Sequence, residues 1–124
     1  MNATISDVEE ITAKVDSYVR GCQTGDESHL KAAFHPDARM FGAVGPDRHD
    51  VPIFDGMSSA VAAQPTGKYD AKVLAIDVEG DAACVKLAES GFWAQDFIDY
   101  FLLSRIDGEW QIVAKAFAHS GPTR

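Results

Sequence analysis

"DYFLLSRIDGEWQIVAKAF" (residues 99–117) decides how this chain is read. Apolar residues alternate with polar or small ones on both sides of Asp107-Gly108, which is the period of strands with one buried face. An Asp-Gly pair between two such runs suits a two-residue type I′ turn, because both central positions need positive φ. That turn sets Ile106 opposite Glu109 and fixes the later pairs, unless a bulge swaps the faces. One face then carries Phe97, Asp99, Phe101, Leu103 and Arg105, with Trp110, Ile112, Ala114, Ala116 and Ala118 from the other strand. This face is the more apolar and is expected to lie under helices, with Asp99 opposite Ala116. Alanines around an acid leave volume that helix side chains or a ligand must fill. The other face carries Ile98, Tyr100, Leu102, Val113, Lys115, Phe117 and His119 among others, and its mixed character suits contact with a second copy of the sheet.

Working outward, Lys72 to Val78 and Ala83 to Ala88 flank Glu79-Gly80-Asp81 and predict a second hairpin. The N-terminal part is helical. Ser6 followed by Glu9 reads as a capping box, and Val8, Ile11, Val15, Tyr18, Val19 and Cys22 form one apolar stripe. Gly25 ends that helix, and Asp26 caps a short second one carrying Leu30, Ala33 and Phe34. His35-Pro36-Asp37 stops it, because a residue before proline leaves the helical region. Residues 38–41 read as a short strand, 42–51 as a loop, and 55–63 as a third helix ended by Pro65 and Gly67. Helices followed by antiparallel strands describe an α+β domain with helices on one face of a sheet.

The length of 124 residues fits a single domain, 1–124. A net charge of −8 argues against nucleic acid as a partner, because phosphates need clustered Lys and Arg. No run approaches the roughly 18 apolar residues of a membrane span, and the acidic N-terminus lacks the layout of a signal peptide. A cytoplasmic protein is expected, with Cys22 and Cys84 as free thiols. No zinc signature, phosphate loop or nucleophile elbow occurs, so neither metal nor cofactor is expected. Asp47, Arg48, His49 and Asp50 bring a histidine near acids, but neighbouring loop residues without a further ligand read as a solvated loop.

Asp99 is the first candidate for chemistry, as a pocket acid kept neutral by burial. Tyr18, on the stripe of the first helix, needs a partner for its hydroxyl, and Asp99 is the obvious one. Glu89 shares the phase of Val85 and Leu87 and is a second pocket acid, unless Ser90-Gly91 ends the strand and lets it reach water. His35 can approach the pocket mouth as an acid or base, or close the helix end through its ring nitrogens. His119 is similar, near the C-terminus. Phe92, Trp93, Phe97, Phe101 and Phe117 serve a pocket, a dimer contact or the core.

Two stretches carry a family resemblance. "YVRGCQTGDESHLKAAFHPDARMFG" (18–42) with the hairpin quoted above resembles the nuclear transport factor 2-like superfamily, and within it the lumazine-binding-like and SnoaL-like proteins. The matching motifs are Phe-His-Pro-Asp-Ala at 34–38 and Asp-Gly-x-Trp-x-Ile-Val at 107–113. The resemblance implies a curved antiparallel sheet wrapped around helices, a conical pocket and a homodimer through the outer sheet face. It extends more distantly to ketosteroid isomerase, whose oxyanion hole pairs a tyrosine with a protonated aspartic acid. Tyr18 and Asp99 match those two residues, while the general base falls at Gly42, which cannot take a proton.

These readings place Tyr18, Phe34, His35, Phe41 and Glu89 in the pocket, with Trp93, Phe97, Asp99, Phe101 and Ala116 on its other walls. The expected function is a dimeric small-molecule-binding protein for an aromatic or heterocyclic ligand. The alternative is an isomerase, cyclase or dehydratase in which Tyr18 and Asp99 stabilise an oxyanion and His35 or Glu89 serves as base. A third reading is an association module with its pocket filled by side chains.

Overall fold

The computed structural model describes residues 4–64 and 68–124, so the expected helix stop at Pro65 and Gly67 lies outside the described residues. The chain runs α1 (Ile5–Thr24), α2 (Glu27–Ala33), β1 (Phe34–Val44), β2 (Asp47–Pro52), α3 (Ile53–Ala63), β3 (Asp70–Glu79), β4 (Ala82–Phe92), β5 (Gln95–Ile106) and β6 (Glu109–Pro122). The strands form one curved, unclosed sheet in the order β2-β1-β6-β5-β4-β3, and the three helices complete an α+β fold. All pairings are antiparallel except β1 with β6, which is parallel, so the sheet is mostly rather than wholly antiparallel.

The first helix starts two residues earlier than Ser6 and Glu9 suggest. Thr4 is the N-cap, its hydroxyl accepting from the Asp7 N–H at 3.0 Å while Asp7 accepts from the Thr4 N–H at 3.2 Å. Thr4-x-x-Asp7 and Ser6-x-x-Glu9 are both capping sequences, and a tertiary contact goes with the first. Asp7 Oδ1 also accepts from the buried Trp110 indole at 3.2 Å and pairs with Arg105 at 2.9 Å, tying the helix N-terminus to the last hairpin. Gly25 ends α1 at φ 76°, a left-handed geometry suited to glycine, and Asp26 caps α2.

Residues 42–51 are not a loop. They continue β1 and form β2, joined by a tight turn at Gly45-Pro46 and paired from Val44 with Asp47 to Arg39 with Pro52. The charged residues that lowered the strand reading suit an edge strand, where charge discourages further pairing. Pro36 is accommodated where the β1–β6 pairing shifts between Phe34 and Arg39.

The decisive correction lies in the last hairpin. Ile106 faces Glu109 and Leu103 faces Ile112 as expected, but the register then slips and Leu102 faces Ala114. Val113 is the extra residue. From Ala114 to His119 the β6 side chains therefore change face. Ala116 and Ala118 point outward and are exposed, while Lys115 turns inward and is buried. Asp99 therefore stands opposite Phe117, not Ala116.

Candidate functional site

Two inner rows cross the curved sheet and set the site. One runs Val51, Met40, Lys115, Phe101, Val85, and the next runs His49, Gly42, Phe117, Asp99, Leu87. The sheet thus lays a lysine and an aspartate on adjacent rows of adjacent strands. Lys115 Nζ lies 3.9 Å from Asp99 Oδ1, 3.6 Å from Met57 Sδ and 5.1 Å from the centre of the Tyr18 ring. Both Asp99 oxygens are buried without a hydrogen-bond partner. Burial pushes the Asp99 acid well above the usual carboxyl range; the Lys115 charge pulls it down and the nearby Glu89 carboxyl adds to the rise. Burial opposes the charge on Lys115, yet the acids at Asp99 and Glu89 outweigh it and hold its amine above the ordinary value.

Glu89 does not reach water. It is only 3% exposed, and its Oε2 accepts hydrogen bonds from Tyr18 at 2.7 Å and from Tyr69 at 2.6 Å. The partner of Tyr18 is thus Glu89 and not Asp99, because the strand that carries Glu89 stays regular through Ser90 and keeps it in the inner phase. Burial and the surrounding acidic groups raise both phenols, so each remains a neutral donor. Burial likewise pushes the Cys22 thiol up; it lies 3.8 Å from the same Oε2.

A cavity of about 110 Å³ lies between α3 and the inner rows. Its α3 side is Gly56, Met57 and Ala60, and the rings of Phe92, Phe97 and Phe117 line much of the rest. Among the described residues that line it, only Glu89, Lys115 and His49 bring charge or a titratable ring. An apolar cavity with a few convergent polar groups is the usual form of a small-molecule site. The volume takes a compact molecule or one end of a larger one.

Of the residues expected in the pocket, Glu89 and Phe97 line this cavity. Tyr18 and Asp99 stand behind its wall, completely buried, and act on it through Glu89 and Lys115. Phe34 and Phe101 belong to the core, packed around Tyr18 with the Phe101 ring centre 5.0 Å away. Trp93, at the β4–β5 turn with φ 52°, is half-exposed and donates its indole N–H to the Ala60 carbonyl at 2.9 Å, so it braces α3 beside the cavity. His35 accepts from the Asp37 N–H at 3.0 Å and closes its own turn. Phe41 and Ala116 face the opposite side of the sheet, exposed, since Met40 and Lys115 take the inner positions. His119 pairs with Gln95 at 2.6 Å and lies against Phe97.

Sequence reasoning missed three contributors. Lys115 was hidden by the bulge. Tyr69 lies just before β3, where no strand period marks its direction. His49 stands in a charged, glycine-containing run whose composition suggests a loop. Gly42 faces inward, but a Cβ there would stand 2.5 Å from the Phe117 ring, so this aromatic ring occupies the place of any side chain at 42. Among the described residues no group of three His, Cys, Asp or Glu could hold a metal ion. Nor is any helix long and apolar enough to cross a membrane.

Comparison with known proteins places this geometry. The family model described as "Putative lumazine-binding" matches residues 6–118. The aldolase FrzH of a Cladobotryum species is 32% identical over 124 residues, covering 96% of this chain and 95% of the aldolase. A nuclear transport factor 2-like protein of unknown function from Methylobacillus flagellatus is 29% identical, with a TM-score of 0.89 and 97% of each chain covered. A ketosteroid isomerase-like protein from Erwinia carotovora atroseptica shares the fold at 15% identity and a TM-score of 0.70, over 96% of this chain and 100% of that one. The chain belongs to the lumazine-binding-like family of the nuclear transport factor 2-like superfamily.

Proposed function

We propose that the chain binds a small carbonyl compound in the cavity over Glu89 and Lys115 and moves a proton at the carbon next to that carbonyl. The observation that carries this reading is the pairing, in one apolar cavity, of a carboxyl fixed by two phenols with a buried ammonium. A carboxylate oriented by donors can take a proton from carbon. An ammonium held charged by neighbouring acids can stabilise the oxyanion that develops on the carbonyl. Lys115 thus takes the electrophile's part that the resemblance to ketosteroid isomerase implied for Tyr18 and Asp99, and Glu89 takes the base's part that Gly42 cannot. Membership of a ligand-binding family supports the binding half, and the aldolase relative supports the carbonyl half.

The binding half stands without the chemistry, and a ring-bearing ligand suits the three phenylalanines. A homodimer through the outer sheet face belongs to the same proposal: Tyr100 is 43% and Leu102 52% exposed there. Native mass spectrometry of the purified chain tests the binding. A carbonyl compound carried by the wild type and lost from Glu89→Gln and Lys115→Met supports it; a ligand kept by both variants contradicts it.

A further inference from the structure

We propose that His49 is the second proton-transfer residue of this site, making it competent for carbon–carbon bond cleavage and formation rather than for proton exchange alone. This rests on the carbonyl reading above. An aldol-type reaction needs two proton transfers at different atoms: one at the carbon next to the ketone, the other at the oxygen of the aldehyde or alcohol. Glu89 and Lys115, from β4 and β6, stand on either side of β5 and serve the first. His49 comes from β2, at the far edge of the sheet order. At about 4.8 Å per strand, a flat sheet would set β2 and β4 about 19 Å apart. Curvature instead brings His49 and Glu89 to the same cavity.

Three further features fit the role. Among the described residues no hydrogen bond takes up either ring nitrogen of His49, so both are free for a ligand. Its ring is held by Phe117, with centres 5.9 Å apart, and its strand is braced where Arg39 pairs with Asp50 at 3.0 Å. Its cross-strand partner is Gly42, so the Phe117 ring, and not a side chain at 42, lies beside the imidazole at the cavity. Histidine is also the side chain whose charge ordinarily changes near neutral pH.

For 4-hydroxy-4-methylpentan-2-one the cleavage balances as follows. The neutral imidazole takes the hydroxyl proton while the bond between C3 and C4 breaks, releasing one acetone. The electron pair passes to the remaining carbonyl oxygen as an enolate beside the Lys115 ammonium. Protonated Glu89 then gives its proton to the enolate carbon, releasing the second acetone, and proton exchange with water restores both residues.

The test uses two readouts on the wild type and on His49→Gln and His49→Asn: deuterium uptake into acetone in heavy water, and cleavage of that hydroxyketone to acetone, both by proton NMR. His49 is half-buried at an edge strand, so both variants are expected to fold, as checked by circular dichroism. The proposal expects cleavage to fall at least about 100-fold, the usual scale for losing an acid–base group, and to fall at least about tenfold more than exchange does. Cleavage undiminished in both variants overturns the role of His49, as does an equal fall in both readouts or a wild type that exchanges but never cleaves. A wild type that does neither overturns the carbonyl reading itself.

Discussion

Lys115 Nζ stands 3.9 Å from Asp99 Oδ1 on the inner face of the sheet, and neither residue is more than 4% exposed. The bulge at Val113 creates this pair, since an even register would have turned Lys115 outward. Removing the cation leaves the buried Asp99 and Glu89 without the charge that pairs with them. Lys115→Met is therefore expected to destabilise the fold by about 3–5 kcal/mol, the usual cost of stranding one partner of a buried pair. Adding Asp99→Leu should recover a large part of that loss. Urea denaturation of the two variants checks it, and a single variant as stable as the wild type contradicts it.

Asp99 gives the pH dependence a sign. Its acid is raised in the folded state, so the unfolded chain ionises at lower pH than the folded one. The Asp99 contribution is then full below the ordinary aspartate value near ~4 and is lost as pH rises toward the raised folded value. Lys115 follows the same sign, but its loss comes only at the alkaline end. Its raised amine keeps its share until pH climbs above about 10, the ordinary lysine value. Asp99→Asn should consequently flatten the decline in melting temperature from mild acid toward neutrality. An unchanged slope in the variant would show that Asp99 is not the group responsible.

Gly42 and Phe117 form a second coupled pair. A methyl group at 42 would meet the Phe117 ring at 2.5 Å, a distance that real contacts do not show. Gly42→Ala should cost about 1–3 kcal/mol through overpacking. The double variant Gly42→Ala/Phe117→Leu should cost less than the sum of the two single changes. Thermal denaturation decides this, and additivity would contradict the contact.

The two phenols on Glu89 make a third prediction. Tyr69→Phe and Tyr18→Phe each remove one donor from the same oxygen. Each should lower stability by about 1–3 kcal/mol. The double variant should loosen Glu89 enough to abolish proton exchange on a ketone. Retained exchange in the double variant would show that the phenols do not position the carboxyl.

Much of the fold was legible because the period-2 pattern around Asp107-Gly108 and the stripe from Ile11 to Cys22 allow few alternatives. The β2 strand was not, since its charged residues lie at a sheet edge, where burial imposes no pattern. The site was half legible. The inward phase of Asp99 and Glu89 could be read from alternation within their own strands, but their partners lie on other strands. The run from Gln111 to His119 alternates acceptably in both phases, and one bulged residue chooses between them. One signal did point the right way: two acids facing inward need a cation, and Lys115 is a lysine on the strand paired with that of Asp99. Packing Phe117 inward and two alanines outward agrees with the same choice.

The central claim is that Glu89, fixed by Tyr18 and Tyr69 and set beside Lys115, exchanges a proton with a carbonyl compound held in the cavity. Deuterium uptake into acetone and cyclohexanone in heavy water, followed by proton NMR, measures this most directly. The wild type should accelerate uptake above buffer, and Glu89→Gln, which keeps the shape but not the basic oxygen, should lower it by at least about 100-fold. Equal rates for the wild type and Glu89→Gln would contradict the account.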